Sequence, residues 1–352
     1  MVGPEEIGHA ARYREAYRSG VESVLAARRA EADRIRARYI SPARMAANGE
    51  HCRRGLAALL GWPLAGMNVR RDAPEARVCE EKPYTPGVTV KRLQIETLPG
   101  LPFYGILFLP EDGGKHPLVI AQHGGGGTPE LAADLYGPNN YRHMIARLTE
   151  AGCAVFAPQL LLWQEESSAG IPGCGSKTNR GALEDGLRQS GGSIAALEVY
   201  CIMRSLDRLL TLPQVDADRV GMIGLSYGGM YTQLTAALDT RIRAAVSNAF
   251  FNDRYAYCWH DFSWRDSAMR FRDAEICGLI APRALCVHVG RKDAVFSVDT
   301  ALPETEKLRL YYEAQGASGQ LAVIISDVNH TLTDHGEEMD FLLRHLRKGE
   351  KE

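Results

Sequence analysis

Six consecutive residues, Gly224-Leu225-Ser226-Tyr227-Gly228-Gly229, constrain this chain more than any other segment. They follow a short apolar run, Val220 to Gly224, and precede a helix-like run, Gly228 to Ala237, so they read as a strand, a tight turn and a helix in succession. A serine at the tip of such a turn is exposed and strained, and its small neighbours let the strand and helix backbones crowd together. Ser226 is therefore a candidate nucleophile.

The segments around this junction fit a covered parallel sheet. Leu118 to Gln122, Ala154 to Ala157, Ala244 to Ser247, Ala284 to Val289 and Leu321 to Ile325 are short apolar runs without alternation. Helical patterns at Tyr141 to Ala151 and Ser193 to Leu210, the second opened by a serine cap, lie between them. Strands without alternation are buried on both faces, and their succession with helices implies a parallel sheet between two helical layers. Val88 to Thr97 and Phe103 to Leu109 read as an opening antiparallel pair. Ala10 to about Ala58 is helical and rich in Arg and Glu, and Asp72 to Gly87 reads as a Pro-containing linker. The expected division is an N-terminal helical extension and linker, 1–87, and a catalytic domain, 88–352. Two long interruptions, Leu160 to Gly192 and Phe250 to Glu275, are candidates for functional loops.

A serine hydroxyl is a weak nucleophile and needs a base, which in turn needs an orienting acid. Asp293 follows strand Ala284 to Val289, and His330 follows strand Leu321 to Ile325. The carboxyl ends of parallel strands share one sheet edge, so both can converge on Ser226. Asp299, Asp327 and His335 are the rival positions, each less well placed relative to a strand end. The run His123-Gly124-Gly125-Gly126-Gly127 follows strand Leu118 to Gln122 and suits a loop whose backbone N–H groups stabilise an oxyanion. The expected donors are Tyr227 N–H and one from this loop, Gly125 ahead of Gly124 and Gly126. A phosphate-binding loop would end in Lys-Ser/Thr, which is missing here.

Taken together, the run from about Val88 to Leu346 resembles α/β-hydrolases of the acetyl xylan esterase-like and dienelactone hydrolase-like group. The matching pieces are Leu98-Pro99-Gly100-Leu101-Pro102, His123 to Gly126, Val215-Asp216-Ala217-Asp218-Arg219-Val220, the Ser226 turn, Ile280-Ala281-Pro282-Arg283 and Gly290-Arg291-Lys292-Asp293. The resemblance implies an α/β-hydrolase fold, with a mostly parallel sheet, helices on both faces and an N-terminal helical extension. It also implies a serine carboxylic ester hydrolase acting on short-chain, acetyl-type esters, including those of sugars. After strand Ala154 to Ala157 the chain departs from that group, with Pro158-Gln159-Leu160-Leu161-Leu162-Trp163 in place of an Arg-Gly-type turn. The Ser226 turn is also similar to that of prolyl-oligopeptidase-like peptidases, which usually carry a β-propeller that 87 mostly helical residues cannot build. A catalytically silent receptor is the third alternative, disfavoured because all three triad residue types are present.

Composition narrows the partners. Lys plus Arg number 41 and Asp plus Glu 43, a formal charge of −2, so neither nucleic acid nor an anionic membrane is an expected partner. A small-molecule ester, such as an acetylated sugar, is expected, with a homo-oligomer compatible with the sequence. Eight cysteines show no CxxC pair and the N-terminus shows no export signal, which reads as a cytoplasmic protein with reduced, buried thiols. No cofactor or metal is expected; Cys258, His260 and Asp261 match no usual zinc spacing. Trp163, Trp259 and Trp264 fall in the two interruptions and are candidates, with His123, for contacting substrate.

Overall fold

The computed structural model describes residues 3–66, 72–162, 179–257 and 259–347. Two helices open the chain, α1 (Pro4–Tyr39) and α2 (Pro42–Leu60), followed by an antiparallel meander of β1 (Ala76–Thr85), β2 (Val88–Leu98) and β3 (Leu101–Pro110). Then come β4 (His116–Gln122), α3 (Pro129–Ala132), α4 (Met144–Glu150), β5 (Ala154–Pro158), α5 (Arg180–Gln189), α6 (Ile194–Leu209), β6 (Val215–Leu225) and α7 (Tyr227–Leu238). The rest comprises β7 (Ile242–Asn248), α8 (Ser267–Arg270), α9 (Asp273–Gly278), β8 (Ala284–Gly290), α10 (Val298–Glu313), β9 (Leu321–Ser326) and α11 (Glu337–Leu346).

The strands form one sheet in the order β1-β2-β3-β5-β4-β6-β7-β8-β9, parallel from β5 to β9. Its central strands feed two cores by alternate residues. Leu118, Ile120 and Met222 join a core with α2, α6, α7, α9 and α10, whereas Val119, Ala121 and Ile223 join another with α4 and α11. Both faces are apolar, which is why these strands read as unbroken apolar runs. The expected serine cap is present: Ser193 Oγ accepts the Ala196 N–H at 3.1 Å.

One expectation changes. The segment taken for a linker contains β1, which pairs with β2 across the expected boundary at residue 87. Its charged residues and Pro83 hid it from a hydrophobic pattern, yet they suit an outer strand exposed along most of its length. Nor is the helical extension merely appended. Met45, Cys52, Leu56 and Leu60 of α2 are buried in the same core as Tyr311 and Tyr312 of α10. No helix among the described residues is long and apolar enough to cross a membrane.

Candidate active site

Ser226 joins β6 to α7 with φ 59° and ψ −123°, a left-handed conformation costly for a residue with a side chain. The turn is held by close backbone contacts, with Asn248 Nδ2 donating to Gly224 O at 3.3 Å and Thr232 Oγ1 to Gly228 O at 2.8 Å. A Cβ on Gly224 would stand 2.2 Å from Gly228 O, and one on Gly228 would stand 2.3 Å from Gln122 O. Only glycine permits these approaches, and the Ser226 N–H donates to Asn248 O at 2.9 Å to complete the brace.

Asp293 and His330 leave the ends of β8 and β9 on the same sheet edge and meet side chain to side chain. His330 Nδ1 lies 2.8 Å from Asp293 Oδ2. The other carboxylate oxygen accepts the N–H groups of Val295 at 2.7 Å and Phe296 at 3.1 Å. Burial pushes the Asp293 carboxyl up, but the hydrogen bond and charge of His330 and these two N–H groups outweigh it, so its pKa is lowered. An ionised carboxylate only accepts, so Nδ1 carries the proton and Nε2 of a neutral ring is left with a lone pair.

The glycine loop after β4 is largely spoken for. Gly124 N–H donates to the Tyr141 hydroxyl at 2.8 Å, Gly126 N–H to Leu162 O at 2.7 Å and Gly127 N–H to Gly124 O at 3.1 Å. Gly124 and Gly126 are thus corrected as oxyanion donors, because each N–H is already engaged. Among the described residues, the Gly125 N–H has no acceptor, and a Cβ on Gly125 would stand 3.2 Å from the Tyr227 ring.

His123 is also corrected as a substrate contact. It is fully buried, with Nδ1 donating to Gly124 O at 2.9 Å and Nε2 accepting the Leu160 N–H at 3.0 Å, so it braces the loop from behind. Trp264 is 5% exposed, with the Arg254 guanidinium 5.0 Å from its ring centroid, and is packed in the core rather than beside Ser226 and His330. Trp163 lies outside the described residues. Trp259 is 37% exposed and belongs to a row of rings: Tyr227 at 6.1 Å, Phe296 at 5.6 Å, and His330 beyond Phe296 at 5.9 Å.

The sequence reading missed a buried ionic network beside Ser226. Asp261 accepts the Tyr227 hydroxyl at 2.8 and 3.0 Å and pairs with Arg180 Nε at 2.6 Å. Arg180 also contacts Glu198 at 3.1 Å and the Tyr231 hydroxyl at 2.9 Å, and Glu198 accepts the Leu161 N–H at 2.6 Å. The two long interruptions are joined through this network. Its one sequence signal was Glu198, an acid within the apolar first part of α6, residues 194–203. Among the described residues no cluster could hold a metal ion.

A parallel sheet with a strained serine between β6 and α7, and an Asp–His pair beyond its later strands, defines the α/β-hydrolase class. The chain belongs to the acetyl xylan esterase (AXE1) family, whose model matches residues 62–260. The model of the prolyl oligopeptidase family matches residues 198–347, which include Ser226, Asp293 and His330. A Bacillus subtilis strain 168 protein named "Putative hydrolase YtaP" is 29% identical over 167 residues, 45% of this chain and 56% of that protein. The chain therefore spans about half the length of that relative. A "putative acetyl xylan esterase" from Bacteroides fragilis has the same fold, with TM-score 0.64 and 17% identity over 81% of this chain and 76% of that one. A glucuronoyl esterase from Solibacter usitatus has TM-score 0.61 and 17% identity over 84% and 92% of the two chains.

Proposed function

We propose that the protein is a serine carboxylic ester hydrolase that cleaves short-chain, acetyl-type esters of carbohydrates. The observation that carries this reading is the 2.8 Å His330–Asp293 pair on the sheet edge that also bears the strained Ser226. In this mechanism Ser226 Oγ attacks the ester carbonyl while His330 Nε2 takes its proton. The N–H groups of Tyr227 and Gly125 stabilise the developing oxyanion, and Asp293 stabilises the imidazolium. Collapse breaks the ester C–O bond and His330 returns the proton to the departing alcohol. Water, deprotonated by His330, then releases the acid and restores Ser226.

The alcohol must lie beside His330 to receive its proton, where the partly exposed Trp259 indole, backed by the buried Phe296 ring, offers an apolar wall. Such a wall suits the C–H face of a sugar, and the family match supports an acetylated one. Buried, unpaired thiols at Cys52, Cys153, Cys201, Cys277 and Cys286 support a cytoplasmic setting, although Cys79 is exposed rather than buried.

The test compares kcat/KM on acetylated xylo-oligosaccharides, p-nitrophenyl acetate and dipeptidyl amides. Sugar acetates should be the best of the three, and Ser226→Ala should abolish all turnover while remaining folded. Faster amide cleavage would favour the peptidase reading that the prolyl oligopeptidase match raises.

A further inference from the structure

Tyr141 lies just ahead of α4, away in sequence from the glycine loop that it touches, and is buried at 5% exposure. Its hydroxyl oxygen accepts the Gly124 N–H at 2.8 Å. The same oxygen fills the hollow of the loop. A Cβ on Gly127 would stand 2.6 Å from it; a Cβ on Gly124 would stand 3.6 Å from it and 3.2 Å from the Ser226 Cβ. The phenol tip is thus the nearest of the groups that exclude a side chain at Gly127, with Gly124 O at 2.9 Å and the His123 Cβ at 3.0 Å, whereas Gly124 is crowded first by Leu225 O at 2.9 Å and touches the phenol only at ordinary contact distance.

The segment carrying Tyr141 is itself anchored to the other half of the site. Asn139 Oδ1 accepts the Tyr141 N–H at 2.8 Å. Asn140 Nδ2 donates to His330 O at 3.3 Å, and Asn140 O accepts from Thr331 Oγ1 at 2.9 Å and Leu332 N–H at 3.2 Å. Three consecutive residues thus tie the glycine loop to the turn that presents His330. Burial pushes the phenol up to about 12, so it serves the Gly124 N–H as a neutral hydroxyl throughout the neutral range.

We propose that Tyr141 is a positioning residue for hydrolysis at Ser226: its hydroxyl binds Gly124 N–H and sets the loop so that Gly125 N–H is presented to the oxyanion. This rests on the esterase reading above. Phenylalanine at 141 keeps the ring and removes the acceptor, leaving the Gly124 N–H unpaired and the loop free to tilt.

The experiment measures kcat per active site, with sites counted by fluorophosphonate titration, for p-nitrophenyl acetate and its thionoester. A thiolate-like sulfur accepts weaker hydrogen bonds than an oxyanion, so the oxoester-to-thionoester rate ratio reports on the donors around it. Tyr141→Phe should lower kcat per titrated site by about tenfold or more, with KM changed by less than about twofold and the rate ratio reduced. If Tyr141→Phe does not fold, Tyr141→4-fluorophenylalanine fills the para position while accepting a hydrogen bond only weakly, so it should give the same signature and decides the matter. Wild-type kcat per titrated site with an unchanged ratio in the folded variant would overturn the proposal, as would a loss of activity explained wholly by fewer titratable sites. Failure of the wild-type protein to be labelled at Ser226 would instead overturn the esterase reading, and this inference with it.

Discussion

The Asp293 carboxylate holds the His330 ring at 2.8 Å with one oxygen and is itself held by two backbone N–H groups through the other. The acid's orientation is thus set by the turn after β8 and does not depend on the histidine. Asp293→Asn preserves this shape but can offer His330 Nδ1 an N–H instead of an acceptor, favouring the wrong tautomer. We expect kcat to fall by about four orders of magnitude with little change in circular dichroism. The Asp293 pKa is lowered on folding, so its contribution to stability is present above about pH 4 and is lost as pH falls through the folded-state value. The gap in Tm between wild type and Asp293→Asn should therefore be widest near neutrality and close in acid; a gap that widens on acidification would contradict the assignment.

The Arg180–Glu198–Asp261 network predicts strong energetic coupling. Glu198 is 3% exposed and Arg180 12%, so removing Arg180 strips Glu198 and Asp261 of their shared counterion in a poorly hydrated place, whereas removing Glu198 leaves Arg180 with Asp261 alone. Arg180→Leu should cost about 3 kcal/mol in urea unfolding. Glu198→Leu should cost less, because Asp261 still pairs with Arg180, and the double variant should cost clearly less than the two single costs together. Additivity within about 0.5 kcal/mol would show that the two residues act independently.

Trp259 separates a substrate role from a structural one. Truncation to alanine removes the exposed indole between Tyr227 and Phe296 without touching Ser226, Asp293 or His330. KM for acetylated xylo-oligosaccharides should rise by about tenfold, the effect of losing roughly 1.4 kcal/mol of stacking, while kcat/KM for p-nitrophenyl acetate stays within about twofold. Equal losses on both substrates would place the indole in loop anchoring alone.

How much of this was visible beforehand depended on whether a residue's role was local. Ser226, Asp293 and His330 could be found because each follows a strand, and strand ends on one sheet edge converge whatever their separation in sequence. The strand β1 was hidden because an outer strand tolerates Pro83 and charge, so it lacks the hydrophobic pattern by which strands are recognised. Arg180 and Asp261 were hidden for another reason: they come together through two irregular segments with no period to reveal their geometry. The role of His123 was misjudged because a polar residue beside a candidate loop reads alike whether it faces the substrate or, as here, the interior. The glycine run could be placed as a loop after a strand, but only the hydrogen bonds distinguish the Gly125 N–H, which has no acceptor among the described residues, from those of Gly124 and Gly126.

His123 supplies the last expectation. Burial lowers its pKa to about 4, with the hydrogen bond to Gly124 O only partly offsetting it, so the folded protein keeps the ring neutral where the unfolded chain would take up a proton. The unfolded state thus binds more protons between about pH 6.5 and 4, and the sign is fixed: stability falls as pH falls through this window, by up to about 3 kcal/mol. Unfolding by urea at pH 7, 5.5 and 4.5, for wild type and for His123→Gln, isolates this contribution, because the other titrating groups largely cancel in the difference. Wild type should lose the larger share of its stability on acidification. Protonation would also remove the Nε2 lone pair that accepts the Leu160 N–H, freeing one anchor of the glycine loop, so kcat in wild type should decline alongside stability toward pH 4. A wild-type to variant difference that is independent of pH would mean that the ring is not the buried neutral brace described here.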